Sequence, residues 1–236
     1  MTVSKSPARI AGMFDAIAPR YDLLNHLLSA GIDRRWRRLA VQSLALTGRE
    51  RVLDLCTGTA DLAIAARTAP RGASRVVGID FAGAMLHVGR AKLRRRGLEP
   101  TIDLVRGDAA RIPLADASVD AATIAFGIRN VERVDEALSE IRRVLKPAGA
   151  FAILEFGTPT VPGVRAAYSW YFNRVLPRIG RLVSRHGGAY AYLPASVGAF
   201  AAPDEFVKSL QRNGFVGVAA VPLTFGIVFL YTGRRS

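Results

Sequence analysis

One cysteine, Cys56, stands among 236 residues. An intramolecular disulfide is therefore excluded, and the N-terminal "MTVSKSPARIAGMF" lacks the apolar stretch of a secretory signal, so a cytoplasmic, reducing setting is expected. Histidine is scarce too, with three in the chain. None shares metal-ligand spacing with cysteine or acid, and no metal is expected. His26 and His186 read as structural before they read as proton carriers. An unbroken apolar run of bilayer length is missing. Asn213 to Gly233 carries no charge, but Pro222 interrupts it, and Val216, Val218, Val221, Ile227, Val228 and Phe229 on either side of "PLT" predict a buried β-hairpin. Acidic charge is short as well: 33 basic against 19 acidic residues leave a net charge of +14. Only Lys5, Lys92, Lys146 and Lys208 are lysines. The arginine excess points to an anionic membrane surface, to nucleic acid, or simply to a solvated basic surface.

What is present suits one sizeable α/β domain, since half of the residues are hydrophobic and 22% are charged. Short apolar runs, "RVLDLC", "RVVGID", "IDLVRG", "VDAATIAF" and "AFAILEF", alternate with helical patterns such as "GAMLHVGRAKLRRRG" and "ERVDEALSEIRRVLKPAG". Such alternation predicts a parallel sheet with helices on both faces. Four stretches of a single domain follow: a helical cap over 1–48, a cofactor-binding core over 49–156, a lid insertion over 157–202, and a C-terminal helix and hairpin over 203–236. In the cap, Leu23, Leu24, Leu27 and Leu28 read as one apolar stripe ahead of the basic "DRRWRR".

The first strand and turn, "VLDLCTGTADLA", lack the glycines of a dinucleotide loop. G-x-G-x-x-G lets the backbone approach a pyrophosphate, and here only Gly58 remains. Asp54, at the strand end, would repel phosphate and favour a cationic ligand. Asp80 closes the second strand, where a carboxylate can accept hydrogen bonds from ribose hydroxyls. Asp108 follows the third, placed with the Ala109 backbone to meet an adenine amino group. Each acid alone reads first as a turn or loop residue. Three acids at the ends of three successive strands point to S-adenosylmethionine.

These stretches resemble a known family. "VLDLCTGTADLA", "VVGID", "GDAARIPLADASVDAATIAFGIRN" and "RRVLKPAGAFAILEFGTP" are similar to the class I S-adenosylmethionine methyltransferases. More narrowly, "YDLLNHLLSAGIDRRW", "AFGIRN", "RVLKPAGAFAILEF" and "VLPRIG" resemble the ubiquinone/menaquinone biosynthesis C-methyltransferases, from about Met13 to Arg234. The resemblance implies a Rossmann-like, doubly wound, mostly parallel seven-stranded sheet, and contacts to the cofactor from Thr59, Asp80, Asp108 and the Ala109 backbone. The chain also departs from the pattern. Ala60 and Ala148 stand where Gly is usual, Ala125 and Gly157 where Ser is usual, Leu24 for Met and Asp33 for His, so Ala125 can offer the cofactor only its backbone.

"AFGIRN" after the fourth strand differs from the Asn/Asp-Pro-Pro-aromatic tetrad of enzymes that methylate base amino groups, and no cysteine nucleophile sits there. The expected reaction is C-methylation of a prenylated quinol: demethylmenaquinol to menaquinol, the 2-polyprenyl-6-methoxy-1,4-benzoquinol step, or both. Arg129, always protonated, is placed to stabilise a phenolate or to organise a water, with a surface helix cap as the alternative. Tyr21, Asp22 and Asn25 are expected to close over the ring and bind its hydroxyls, Tyr21 foremost, while Asp22 suits a helix cap as well. A substrate that lives in the bilayer predicts reversible contact with an anionic membrane through arginines and lid residues Trp170, Tyr171 and Phe172. A homodimer is left open. An RNA methyltransferase using the basic surface and a non-catalytic nucleoside-binding protein are the competing readings; no nucleic acid is expected for the first-ranked one.

Overall fold

The computed structural model describes residues 6–159, 161–171, 174 and 187–236. Phe172, His186 and "VLPRIG" lie outside them. The chain opens with three helices, α1 (Pro7–Ile17), α2 (Tyr21–Leu28) and α3 (Asp33–Ser43). It then alternates through β1 (Arg51–Leu55), α4 (Asp61–Thr68), β2 (Arg75–Asp80), α5 (Gly83–Arg96), β3 (Ile102–Arg106), β4 (Val119–Ala125), α6 (Val134–Val144) and β5 (Leu145–Phe156). Helices α7 (Pro162–Trp170) and α8 (Gly187–Gly198) precede α9 (Pro203–Arg212) and the hairpin β6 (Phe215–Leu223) and β7 (Val228–Arg235).

The strands form one seven-stranded sheet in the order β3-β2-β1-β4-β5-β7-β6. All neighbours among β1 to β5 run parallel, and β7 runs antiparallel to both β5 and β6. Side chains alternate across the pleat, so consecutive residues enter opposite layers: Val52 and Val76 pack with Trp36, Leu62 and Ile64, whereas Leu53 and Val77 pack with Leu138, Ile141 and Leu210. Burial on both faces explains why these strands read as unbroken apolar runs. The hairpin departs from its expectation in one respect. Val228, Leu230 and Tyr231 of β7 are buried, but β6 is an edge strand that exposes Val216 and Val221. Pro222 is tolerated there because an edge residue has no outer ladder partner to supply.

Strand order reverses between β1 and β4, and ligands of open α/β sheets bind at that crevice. Cys56 (φ +54°) and Phe126 (φ +60°), the residues just past these two strands, both sit in the left-handed region. A Cβ on Gly127 would fall 2.3 Å from the Cys56 Cβ, so only glycine lets the two turns touch. Cys56 lines the crevice and packs against the core beneath it. Its burial pushes the thiol well above its ordinary range.

The leucine stripe also divides. Leu24 is buried and Leu28 lines a cavity, whereas Leu23 and Leu27 are 63% and 58% exposed.

Candidate active site

Asp80 ends β2 with both carboxylate oxygens engaged. The Gly58 amide donates to Oδ2 at 2.8 Å and the Ala82 amide to Oδ1 at 2.9 Å. Burial raises its pKa, with these two amides and that of Phe81 working the other way. Asp80 lines a cleft together with Asp108, Ala109, Phe81, Cys56 and Asn130, and the cleft continues past Gly58, Ala125 and Gly127. The side chain of Asp108 is exposed into it, its Oδ1 accepting from the Ala110 amide at 2.9 Å. Carboxylates at these two places match hydroxyls and an amine and repel phosphate, so the donor set fits the nucleoside of S-adenosylmethionine.

Three expected contacts are placed elsewhere. Asp54 is fully buried under the cleft, where Thr57 Oγ1 donates to Oδ2 at 2.6 Å and Thr123 Oγ1 to Oδ1 at 2.9 Å. Burial lifts its pKa to about 6. Thr59 turns its hydroxyl away to Asp22 Oδ1 and accepts from Lys92 Nζ at 3.2 Å. Asp22, expected on the substrate, is drawn to the same lysine at 2.5 Å. The reason is a cation that spacing along the chain does not announce: Lys92 is buried, and its charge needs partners.

A second cavity of about 280 Å³ lies between the N-terminal helices, α7, α8 and the ends of β4 and β5. Its walls are aromatic. Phe126 and Phe156 stack at 4.5 Å, Trp36 meets both edge-on, and Trp36 Nε1 donates to Thr224 at 2.9 Å. Tyr21, Asn25 and Arg129 line it. Burial raises the Tyr21 pKa, opposed by a hydrogen bond with Asn25 and by the charge of Arg129. Phe14, Tyr21 and Phe126 line cleft and cavity alike, so the two compartments abut across these rings.

Arg129 is no surface cap. It is 5% exposed, with Nη1 donating to the Phe126 carbonyl and, at 2.7 Å, to Glu155 Oε1. Its own amide donates to Glu155 Oε2 at 3.1 Å, and its guanidinium carbon lies 5.3 Å from the Phe156 ring centre. Glu155 escaped the reading of the sequence, though one acid inside the apolar run "AFAILEF" signals a buried charge that needs a partner. Tyr192, also missed, donates from α8 to Asn130 Oδ1 at 3.0 Å and carries no comparable signal. His26 Nδ1 lies 2.9 Å from Asp33, which also accepts from Ser29 and pairs with Arg37. Burial opposes ionisation of Asp33, yet Arg37, Ser29 and His26 together hold its pKa below the usual carboxylate value. Among the described residues, no group of three His, Cys, Asp or Glu side chains is arranged to hold a metal.

The sequence model of the ubiE/COQ5 methyltransferase family matches residues 1–235. The chain belongs to that family. It is 51% identical over 225 residues to the ubiquinone/menaquinone biosynthesis C-methyltransferase UbiE of Syntrophotalea carbinolica, covering 95% of this chain and 93% of that one. The demethylmenaquinone methyltransferase of Thermus thermophilus is 47% identical over 94% of this chain and all of its own length. Among solved structures, the [4+2]-cyclase SpnF superposes with a TM-score of 0.72 at 18% identity, covering 100% and 98% of the two chains. A SAM-dependent methyltransferase of Thermotoga maritima gives 0.66 at 16%, covering 95% and 99%. These two share the fold, and a cyclase among them illustrates why activity is argued from the site. The protein is therefore a methyltransferase, and S-adenosylmethionine is its cofactor. The RNA reading gains no support from these relatives.

Proposed function

We propose that the protein methylates a ring carbon of a prenylated quinol, with demethylmenaquinol the first-ranked acceptor and the 2-polyprenyl-6-methoxy-1,4-benzoquinol of ubiquinone synthesis the second. The observation that carries this reading is an aromatic cavity, with a buried Arg129–Glu155 pair in its wall, that meets the cofactor cleft across Phe14, Tyr21 and Phe126. The names of the relatives point the same way.

Asp80, Asp108 and the Ala109 backbone hold the nucleoside, and Asp54 supports the floor through Thr57 and Thr123. When bound there, S-adenosylmethionine would supply an electrophilic methyl: its S–CH3 bond would break as the C–CH3 bond to the electron-rich ring carbon forms, S-adenosylhomocysteine would leave, and that carbon's own proton would pass to water. Tyr21 and Asn25 bind and orient the quinol hydroxyls. Arg129, fixed by Glu155, stabilises the phenolate that pushes density onto the reacting carbon. The aromatic walls exclude water and fix alignment, from which much of the rate follows.

The substrate reaches this cavity from a bilayer. Among the described residues no helix is long and apolar enough to cross a membrane. Leu23, Leu27, Ile32, Trp170 and Phe225 are exposed apolar side chains, on segments that also supply cavity walls, and Arg34, Arg35 and Arg38 of α3 are exposed beside them in sequence. Together they support reversible docking on an anionic surface at the cytoplasmic face.

Mass spectrometry of lipid extracts tests the acceptor. In a strain lacking this gene, the unmethylated quinone of one pathway accumulates and the plasmid-borne gene removes it. Unchanged quinones in both pathways contradict the proposal.

A further inference from the structure

Lys92 lines neither the cavity nor the cleft, yet it stands where their supports meet. Its side chain on α5 is buried, the residue being 8% exposed. The ammonium lies 2.5 Å from Asp22 Oδ2 of α2, 2.5 Å from Asp61 Oδ1 of α4 and 3.2 Å from Thr59 Oγ1 in the turn after β1. Thr59 also donates to Asp22. A buried ammonium loses hydration and persists only where its partners are held in place, so this cation fastens three helices and one turn together.

Each partner adjoins a different functional wall. Asp22 sits between Tyr21 and Asn25, which line the cavity. Thr59 follows Gly58, whose amide holds the Asp80 carboxylate in the cofactor cleft. Asp61 approaches Arg37 Nη2 at 3.8 Å, and Arg37 pairs with Asp33, both of them cavity residues. The N-terminal helices have other fastenings to α5: Asp15 Oδ1 accepts from the Ala84 amide at 2.8 Å, and Ile17 and Ala18 pack on Ala82 and Met85. Those reach the first turn of α5. The turn carrying Gly58 and Thr59 meets α2 through Asp22 and Lys92.

We propose that Lys92 is a positioning residue that couples cofactor binding to the placement of α2 over the cavity. A cofactor that steadies Gly58 steadies Thr59, and through the Thr59–Asp22–Lys92 cluster it sets Tyr21 and Asn25 where the acceptor ring must lie. Filling the cleft thereby completes the cavity, and linkage requires that a well-placed α2 tighten cofactor binding by the same factor. The effect on the acceptor rests on the quinol reading above; the coupling between cleft and helix does not.

Hydrogen exchange of the full protein, with and without saturating S-adenosylmethionine, tests the coupling. In the wild type the cofactor slows exchange of the Tyr21–Leu28 amides by about five-fold or more; in Lys92→Met the slowing falls below about two-fold, while β4 amides stay as protected as in the wild type. The KM for a short-tailed 2-prenyl-1,4-naphthoquinol rises about five-fold in the variant with kcat within about two-fold, as expected of a residue that places the binding wall. Asp22→Asn keeps an oxygen for the Thr59 hydroxyl and gives up the attraction to Lys92. It shows the same loss and serves where Lys92→Met does not fold. A folded variant that retains the cofactor-dependent slowing, or a wild type that has none, overturns the proposal. Exchange coupling as described in a wild type that does not methylate this short-tailed quinol leaves the role of Lys92 standing and removes the quinol reading.

Discussion

Arg129 Nη1 lies 2.7 Å from Glu155 Oε1, and the two residues are 5% and 0% exposed. Removing either partner strands the other charge away from water. Glu155→Gln and Arg129→Ala should each lower folding stability by about 3–5 kcal/mol, read as an earlier urea midpoint at unchanged slope. Arg129→Ala loses turnover as well, so its kinetics require conditions in which the variant is folded. Wild-type stability in both variants contradicts the buried pairing.

Asp80 fixes Gly58 and Ala82 and faces the cleft. Asp80→Ala should weaken S-adenosylmethionine binding by about 1–3 kcal/mol, since ribose hydroxyls would lose a charged acceptor in a partly desolvated site. Titration calorimetry measures this directly. An unchanged Kd removes Asp80 from the cofactor site.

Asp54 gives stability a pH dependence of opposite sign to that of a salt-bridged acid. Its pKa is raised from an ordinary 3.8 to about 6 by burial, with the Thr57 and Thr123 hydroxyls opposing. Between those values the folded chain holds more protons than the unfolded one, so this contribution is complete below the lower value and is lost as pH rises to the upper, by about 3 kcal/mol. Asp54→Asn removes the dependence. The variant should gain on the wild type as pH climbs from 4 to 6, measured by urea unfolding across that range; a difference that stays flat with pH means that Asp54 ionises normally.

Membrane docking by exposed leucines and arginines is predicted to be part apolar and part electrostatic. Leu23→Ser with Leu27→Ser should weaken cosedimentation with anionic vesicles without altering cofactor affinity. Raising salt from about 0.05 to 0.5 M shortens the screening length severalfold and should weaken binding of the wild type. Equal binding to neutral and anionic vesicles discards the electrostatic part.

Much of this architecture is legible because strand burial leaves a plain mark. β1, β2, β4 and β5 are buried on both faces, so they stand out as apolar runs, and Asp80 takes its place from where one of them stops; β3, ahead of Asp108, is only partly buried and leaves a fainter mark. Periodicity says nothing of which apolar surface meets protein and which meets solvent, hence the division of Leu23 and Leu27 from Leu24 and Leu28. Partnerships across the chain are harder still. Thr59 and Asp22 belong to Lys92, and Arg129 belongs to Glu155, through contacts that exist only once the strands and helices have assembled. For Glu155 a trace was available in the apolar run around it; for Tyr192 on α8, an aromatic among small residues, none was.

The methylation proposed for this cavity requires a reduced ring. Two carbonyls withdraw density from a quinone carbon, whereas a quinol, and more so its phenolate, pushes density onto the carbon beside the hydroxyl. A guanidinium held in the cavity wall adds stabilisation where that charge develops. The most direct measurement is an anaerobic assay with one short-tailed naphthoquinone, supplied either oxidised or chemically reduced, following transfer of a labelled methyl from S-adenosylmethionine. Transfer to the reduced form alone is the expected result. Equal rates with both forms, with reduction in the tube excluded, would contradict both the mechanism and the acceptor assigned to this cavity.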